Sequence, residues 1–486
     1  MKLNALAGAV PGEVKLTGDA QTEIASLCVD SRKVTPGALF FCIPGLHTDA
    51  HDLAPQALAK GAVALVVERE LPLDCPQVKV DSVRRALSYM AQEFFGNPAR
   101  RLKLIGITGT KGKTTASFLI KSVLEAAGHK AGMIGTVCSM IGEEVIPSRL
   151  TTPDPIEVQT LLKSMADAGV EYVVMEVSAH ALAMHRLSGL RFAVAAFTNF
   201  SQDHLDYFGD MDNYFAAKMR LFQPDMSEAI VYNCDDERVA AGFKALGREA
   251  LRTGIRESSD VYANDIEVGE RGLSFLLTFH KRFRVLVELQ LAGIFNVYNA
   301  LLAAGVGIAL GIGPDAIRRG LEDVRAVPGR IELLETETPY RVILGYAHSP
   351  DSLENILKSV RQTTKGRLIA LFGCGGDRDH GKRPIMGEIA GELADLVILT
   401  SDNPRNEDPF EILDQIEEGI RHTGCEYTVI EDRRAAIRHA LSIAESSDVI
   451  VLAGKGHETY QEIKGVKHPF DEKIVVKELL REMRGK

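Results

Sequence analysis

No two cysteines of this chain stand in a C-x-x-C pair. The seven, at positions 28, 42, 75, 138, 234, 374 and 425, are odd in number and scattered, which argues against a cysteine zinc site or a disulfide framework. A reducing cytoplasm is the expected setting. A basic excess is lacking too: 56 Lys and Arg stand against 66 Asp and Glu, a net charge of −10, so no large cationic surface is offered to a nucleic acid. Nor is there a long apolar run. The longest, about 300–312, carries three glycines and falls short of the roughly 18 residues a membrane span requires. The opening MKLNALAGAVPGE reaches Pro11 and Gly12 too early for a signal peptide, so secretion is not expected. Internal repeats and low-complexity tracts are also missing. What is present is ordinary globular composition, 45% hydrophobic and 25% charged over 486 residues, enough for about three domains.

Residues 1–98 mix strand-like runs at 38–44 and 62–68 with a helix-like 81–95, and close at the turn-prone Gly96-Asn97-Pro98. From Leu102 the texture becomes apolar strand, glycine loop and amphipathic helix ending at Gly128, a βαβ pattern. It continues with a helix near 156–168, strands at 170–178 and 192–200, a helix about 213–222 and a strand at 228–233. After Val327-Pro328-Gly329 the alternation resumes, with strands at 341–347, 366–374, 394–400 and 448–454 separated by helical segments. The expected fold is α/β in three domains. These are a small N-terminal α/β domain (1–98), a central P-loop-type ATPase domain with a mostly parallel sheet (99–329) and a C-terminal Rossmann-like domain (330–486).

The strongest local signal is Gly109-Thr110-Lys111-Gly112-Lys113-Thr114-Thr115, set between a strand and a helix. There backbone N–H groups cradle an anion, Lys113 reaches the outer phosphates and Thr114 holds Mg²⁺. The Walker spacing is one residue off, because Ile107 stands where glycine is required and Gly106 sits one further back. Glu176 and Ser178-Ala179-His180 end the next strand, with Arg186 eight residues after Ser178. Glu176 reads either as a Mg²⁺ ligand or as a structural acceptor. Asp203, His204 and Asp206 follow another strand and offer a second cation site. Lys218, in a helical stretch, reads from pattern alone as a solvated lysine. In the last region Gly373-Cys374-Gly375-Gly376-Asp377-Arg378, Asp402-Asn403-Pro404-Arg405 and Gly454-Lys455-Gly456-His457-Glu458 each follow an apolar strand. Parallel strands would bring these loops to one edge, with arginines for carboxylates and Asp402 and Glu458 for ammonium groups, which suits an amino acid charged at both ends.

GTKGKTT, EVSAH, NFSQDHLDY, GIFNVYN, GCGGDRD, DNPR and GKGHE occur in an order that resembles the Mur ligases over nearly the whole chain. DNPR resembles the diaminopimelate-selecting motif of that family. The resemblance implies an ATP-dependent, ADP-forming amide ligase of peptidoglycan biosynthesis. It would join meso-diaminopimelate to the D-Glu γ-carboxylate of UDP-N-acetylmuramoyl-L-Ala-D-Glu through an acyl phosphate, with ATP and Mg²⁺, in the cytoplasm and as a monomer. By the same resemblance Gly109 to Thr115, Asn296, Asn299 and Arg330 meet ATP. Ser31, His47, Thr48, Thr151, Thr152, Ser178 and Arg186 meet the UDP-sugar peptide. Arg378, Asp402, Asn403, Pro404, Arg405, Gly454 and Glu458 meet diaminopimelate. Lys113, Glu176, His204 and Lys218 are the implied catalytic set, and Thr114, Glu176, His204 and Lys218 the metal set. Lys218 matches the family lysine that is carbamylated to N6-carboxylysine, an oxygen ligand of the hard kind that Mg²⁺ prefers.

The chain departs from the family pattern at Met184, Ala179, Phe208 and Ala50, where Gln, Ser, His and Gly are common. None of these lies in the phosphate loop. Two competing readings remain open at this point. One is another amide ligase of the superfamily, adding lysine, D-Ala-D-Ala or glutamate. The other is a P-loop ATPase that performs conformational work without making a bond.

Overall fold

The computed structural model describes residues 1–45, 48–269, 272–279, 283–328 and 330–485. His47 therefore lies outside the described residues. The chain forms two compact units: 1–113, 124–252 and 305–312 in the first, and 114–123, 253–304 and 313–486 in the second.

The first unit holds two sheets. One runs in the order Val14–Thr17, Gln77–Val80, Ala62–Val67, Ala38–Phe41, Ser26–Cys28; its first pair is antiparallel and the rest are parallel. All four residues of Ala38–Phe41 are buried, as expected of a parallel strand covered on both faces. The helix Val83–Phe94 begins where the Ser82 side chain accepts from the Arg85 N–H, an N-cap that satisfies an otherwise orphaned donor. Its Val83, Ala86, Leu87 and Met90 pack with Leu39 and Phe41 at helical spacing. Its other side meets the turn that follows EVSAH: the Ser88 hydroxyl donates to His185 O at 2.5 Å and Gln92 Nε2 to Ser188 O at 2.8 Å.

In the second sheet the neighbours Ser227–Asn233, Phe192–Phe197, Lys103–Thr108, Tyr172–Glu176 and Ala131–Ile134 are parallel. Cys138–Ile141 and Glu144–Pro147 extend it as an antiparallel hairpin. The central strand Lys103–Thr108 is buried from Leu104 onward, which explains its unbroken apolar sequence. The expected helix at 213–222 is the α-helix Met211–Met219 followed by the 3₁₀ turn Arg220–Phe222.

The second unit contains an antiparallel meander, Val261–Val268, Leu273–Phe279 and Phe283–Leu289, for which the sequence reading had no elements. Its larger sheet has the order Glu332–Leu334, Arg341–Gly345, Val449–Ala453, Leu368–Phe372, Leu396–Leu399, Glu426–Val429. Every neighbour pair except the first is parallel. Pro350–Arg361, Lys382–Leu393 and Pro409–Ile420 contribute to the core on one face, and Arg433–Ile443 and Glu472–Arg484 to the core on the other. This is the doubly wound arrangement the alternation predicts. The C-terminal helix and a small hairpin, Tyr460–Ile463 with Val466–Pro469, were not anticipated.

Candidate active site

The phosphate loop joins the strand Lys103–Thr108 to the helix Lys113–Ala126. Gly109 and Gly112 have φ of 141° and 83°, left-handed conformations that side chains resist, and a Cβ at Gly109 would strike Thr198 Oγ1. The neighbouring strand end pins the loop. Thr110 N donates to Asn199 O at 2.9 Å, Lys111 N to Asn199 Oδ1 at 2.9 Å, and the Thr198 hydroxyl to Lys111 O at 2.6 Å. The Lys113 ammonium is held at the loop by Gly109 O and Thr110 O, each at 2.9 Å.

Lys218 is 2% exposed, not the solvated lysine its pattern suggested. It donates to Gly109 O at 2.8 Å and lies 4.4 Å from the Tyr214 ring centroid. Burial first, then the nearby Lys113, pushes its ammonium well below the ordinary lysine range, which favours the neutral, nucleophilic amine. His204, with φ of 56°, stacks edge-on against His180 at 4.7 Å between ring centroids. Burial lowers both imidazoles, His180 to about 4.

Glu176, 1% exposed, ends its strand beside Ile107. Its Oε1 accepts from Thr136 N and its Oε2 from the Thr136 hydroxyl, each at 2.9 Å. Thr136 Oγ1 also lies 3.1 Å from Thr151 Oγ1. Sequence reading missed Thr136, although its place just past the strand Ala131–Ile134 on the same sheet edge is a recoverable signal. The Thr152 hydroxyl donates to Glu176 O at 2.8 Å and accepts from Ser178 N at 3.0 Å. Ser178 caps the helix Ala179–Ala183. Arg186 donates to Thr152 O at 2.7 Å and to the Met184 sulfur at 3.5 Å, so the departing Met184 still has a polar contact. Ser31, 6% exposed, donates to Gln56 at 3.1 Å; Thr48 is exposed.

Among the described residues no group of three or more His, Cys, Asp and Glu side chains is poised around a metal. The donors offered to a hard cation are one buried carboxylate, hydroxyls and an imidazole. An uncharged amine at Lys218 is a poor Mg²⁺ ligand and its carbamate a good one, so the residues fit the metal only in that modified form.

In the second unit Thr114 is 3% exposed, and its hydroxyl accepts from Arg330 at 3.2 Å. The Arg330 guanidinium lies 5.1 Å over the Tyr346 ring, which in turn packs against His348 and His457 at 4.5 and 4.8 Å. Burial above all pushes the Tyr346 phenol up to about 12 and His457 down to about 4. Tyr346 and His348 were missed; a fourth strand-end loop, after Arg341–Gly345, was the available signal. Asn299 donates to Asn296 Oδ1 at 2.9 Å, and Asn296 to Ala292 O at 2.7 Å.

Three strand-end loops do converge in that unit. Asp402 and Asn403 are 8% and 3% exposed, and Asn403 Nδ2 donates to Glu458 Oε2 at 2.8 Å. Arg405 donates to Gly376 O at 2.6 Å and to Glu462 Oε2 at 3.3 Å. Gly376 lies so close to Pro404 O, and Gly454 to Asp402 Oδ2, that neither place has room for a Cβ. Burial first, and Asp402 second, pushes the Glu458 carboxyl up. Arg378 stands exposed on its loop and is the one predicted pocket residue not drawn in.

Three family descriptions match the chain: Mur ligase family, catalytic domain, over 23–95; Mur ligase middle domain over 107–307; and Mur ligase, glutamate ligase domain, over 329–456. UDP-N-acetylmuramoyl-L-alanyl-D-glutamate--2,6-diaminopimelate ligase 1 of Clostridium acetobutylicum is 44% identical, covering 99% of this chain and 100% of its own. The corresponding ligase of Geobacillus thermodenitrificans is 44% identical over 100% of both chains. A solved structure of such a ligase is 32% identical with a TM-score of 0.70, covering 100% of this chain and 99% of its own. MurF from Acinetobacter baumannii, 20% identical over 99% of this chain and 98% of its own, shares the fold with a TM-score of 0.67. A phosphate loop on a parallel sheet, a second doubly wound sheet and this full-length likeness lead to one assignment: the chain belongs to the Mur ligase family.

Proposed function

We propose that this chain is an ATP-dependent, ADP-forming ligase that joins meso-diaminopimelate to the D-Glu γ-carboxylate of UDP-N-acetylmuramoyl-L-Ala-D-Glu, a step of peptidoglycan synthesis. The diaminopimelate-adding relatives support the class. The observation that carries the amino-acid choice is Arg405, a guanidinium 21% exposed in a pocket that also holds Asp402, Asn403 and Glu458. Residues 1–98 would take the UDP-sugar, 99–329 ATP and 330–486 the amino acid.

A carboxylate does not accept an amine at neutral pH, so it is first activated. In-line attack of the γ-carboxylate on the γ-phosphoryl of ATP gives an acyl phosphate and ADP. The diaminopimelate amine then displaces phosphate and loses a proton. Lys113 and the loop N–H groups would spread the charge of the transferring phosphoryl group. Asn296, Asn299 and Arg330 would hold ATP, and Ser31, His47, Thr48, Thr151, Thr152, Ser178 and Arg186 the UDP-sugar peptide. Thr114, Glu176, His204 and carbamylated Lys218 would hold Mg²⁺, which when bound neutralises phosphate charge. Arg405 would pair with the second carboxylate of diaminopimelate. When lysine enters, that carboxylate–guanidinium pair is not made and Arg405 keeps only its contacts with Gly376 O and Glu462, which favours diaminopimelate.

The test is ATP-dependent phosphate release with the UDP-muramoyl dipeptide and meso-diaminopimelate, L-lysine or no amino acid, with product mass as confirmation. Release and mass gain with diaminopimelate alone is the expected result. Release with lysine alone overturns the amino-acid assignment, and amino-acid-independent hydrolysis without mass gain overturns the ligase.

A further inference from the structure

We infer that Lys455 is a positioning residue of the amino-acid pocket: with the Glu462 backbone N–H it locks the Asn403 carboxamide so that its NH₂ faces Glu458 and the incoming ligand. This rests on the proposed amino-acid role of that pocket.

The Lys455 side chain is 0% exposed, an expensive place for a cation unless its hydrogen bonds are made. Its Nζ donates to Asn403 Oδ1 at 3.0 Å and to Tyr460 O at 2.7 Å, and lies 3.6 Å from Glu458 Oε2. An ammonium has three N–H donors and no acceptor, and here three oxygens surround it. Asn403 Oδ1 also accepts from Glu462 N at 2.9 Å, so both its lone pairs are engaged by donors. The amide nitrogen gives one N–H to Glu458 and keeps one for a ligand oxygen. Turning the amide over would set NH₂ against an ammonium and an N–H, and a carbonyl against a carboxylate. Only one orientation survives.

Lys455 also acts on charge. Glu458 is faced by Asp402, Asn403 and Arg405 from the loop after Leu396–Leu399, by Lys455 on its own loop, and by Tyr346 from the loop after Arg341–Gly345. Burial and Asp402 push its carboxyl up; Lys455, the Asn403 hydrogen bond and Arg405 pull it down. Removing Lys455 therefore raises Glu458 further, and the carboxylate that meets the substrate ammonium protonates at higher pH.

The experiment compares Lys455→Met, Asn403→Ala and the double variant of the full chain by phosphate release from pH 6 to 9. It takes KM values for diaminopimelate, ATP and the UDP-dipeptide. Lys455→Met is expected to raise the diaminopimelate KM by about tenfold or more, the scale of a lost charge-assisted hydrogen bond, with the other two KM values within about twofold. The acid limb of kcat/KM moves to higher pH, and at pH values above that limb the double variant is no worse than Asn403→Ala alone. An unmoved acid limb, an additive double variant or an equal rise in the ATP KM overturns the inference. Should Lys455→Met fail to fold by circular dichroism, Asn403→Asp carries the test. It keeps the pairing with Lys455 and loses the donor to Glu458, so the same KM rise and limb shift are expected, and an unchanged KM overturns the idea. Arg405→Ala separates the two levels. If Arg405→Ala and Asn403→Ala both leave the diaminopimelate KM unchanged, the pocket assignment itself fails; if both raise it and Lys455→Met does not, only the role of Lys455 fails.

Discussion

Arg433→Met removes one half of a buried ion pair whose other half has no substitute. Arg433 and Glu472 have side chains 0% and 1% exposed, and Arg433 Nη2 lies 2.7 Å from Glu472 Oε1. Nε of the same guanidinium adds a bond of 2.8 Å. Glu472 Oε2 is buried with no hydrogen-bond partner among the described residues, so the carboxylate depends on Arg433. The guanidinium also donates to Ala453 O at 2.9 Å and Ser401 O at 3.4 Å, tying the ends of two strands that carry pocket loops. Breaking a buried pair from one side costs about 3–5 kcal/mol, whereas replacing both members with apolar groups is close to neutral. At roughly 2–4 °C per kcal/mol for a domain of this size, the C-terminal transition should fall by about 6–20 °C in differential scanning calorimetry. Arg433→Met with Glu472→Met should recover most of that loss. A single variant that melts within about 2 °C of the parent, or a double variant no better than the single, would refute the reasoning.

Three further outcomes follow from the same geometry. Arg405→Ala should raise the diaminopimelate KM by about a hundredfold, the scale of a charge-assisted bidentate contact, and leave the ATP KM unchanged; equal effects on both would contradict its role. Lys218→Arg should lower phosphate release on the order of a hundredfold, and the parent should lose activity in carbon-dioxide-free buffer and regain it with bicarbonate. His457, held at about 4 by burial and then Arg330, takes up a proton in the unfolded chain near 6.5 but not in the folded one. Its stabilisation is complete above about pH 6.5 and is lost as pH falls toward 4. His457→Gln should therefore narrow the gap between melting temperatures at pH 7 and pH 5, and an unchanged gap would contradict the burial argument.

Local pattern carried the elements that lie at the ends of parallel strands. An unbroken apolar run such as 368–372 followed by glycines reads as a buried strand feeding a loop, because periodicity and turn chemistry are properties of neighbouring residues. The phosphate loop, Asp402 to Arg405 and Gly454 to Glu458 were all found this way. The meander at 261–289 was not, since its alternation is half-exposed and competes weakly with stronger signals nearby. The C-terminal helix Glu472–Arg484 follows a polar N-cap, Asp471, yet the sequence reading stopped at the last buried strand.

By itself, then, the order of residues determined the α/β class, the strand-end loops and the kinds of charge they present, because each depends on contacts within a few positions. Tertiary structure alone decided which of those charges are buried. It brought Lys218 to Gly109 across 109 positions, Lys455 to Asn403 across 52 and Arg433 to Glu472 across 39. Burial and partnership over such separations are set by how sheets and helices pack, and the desolvation that pushes the Lys218 ammonium below the ordinary lysine range exists only once that packing is made.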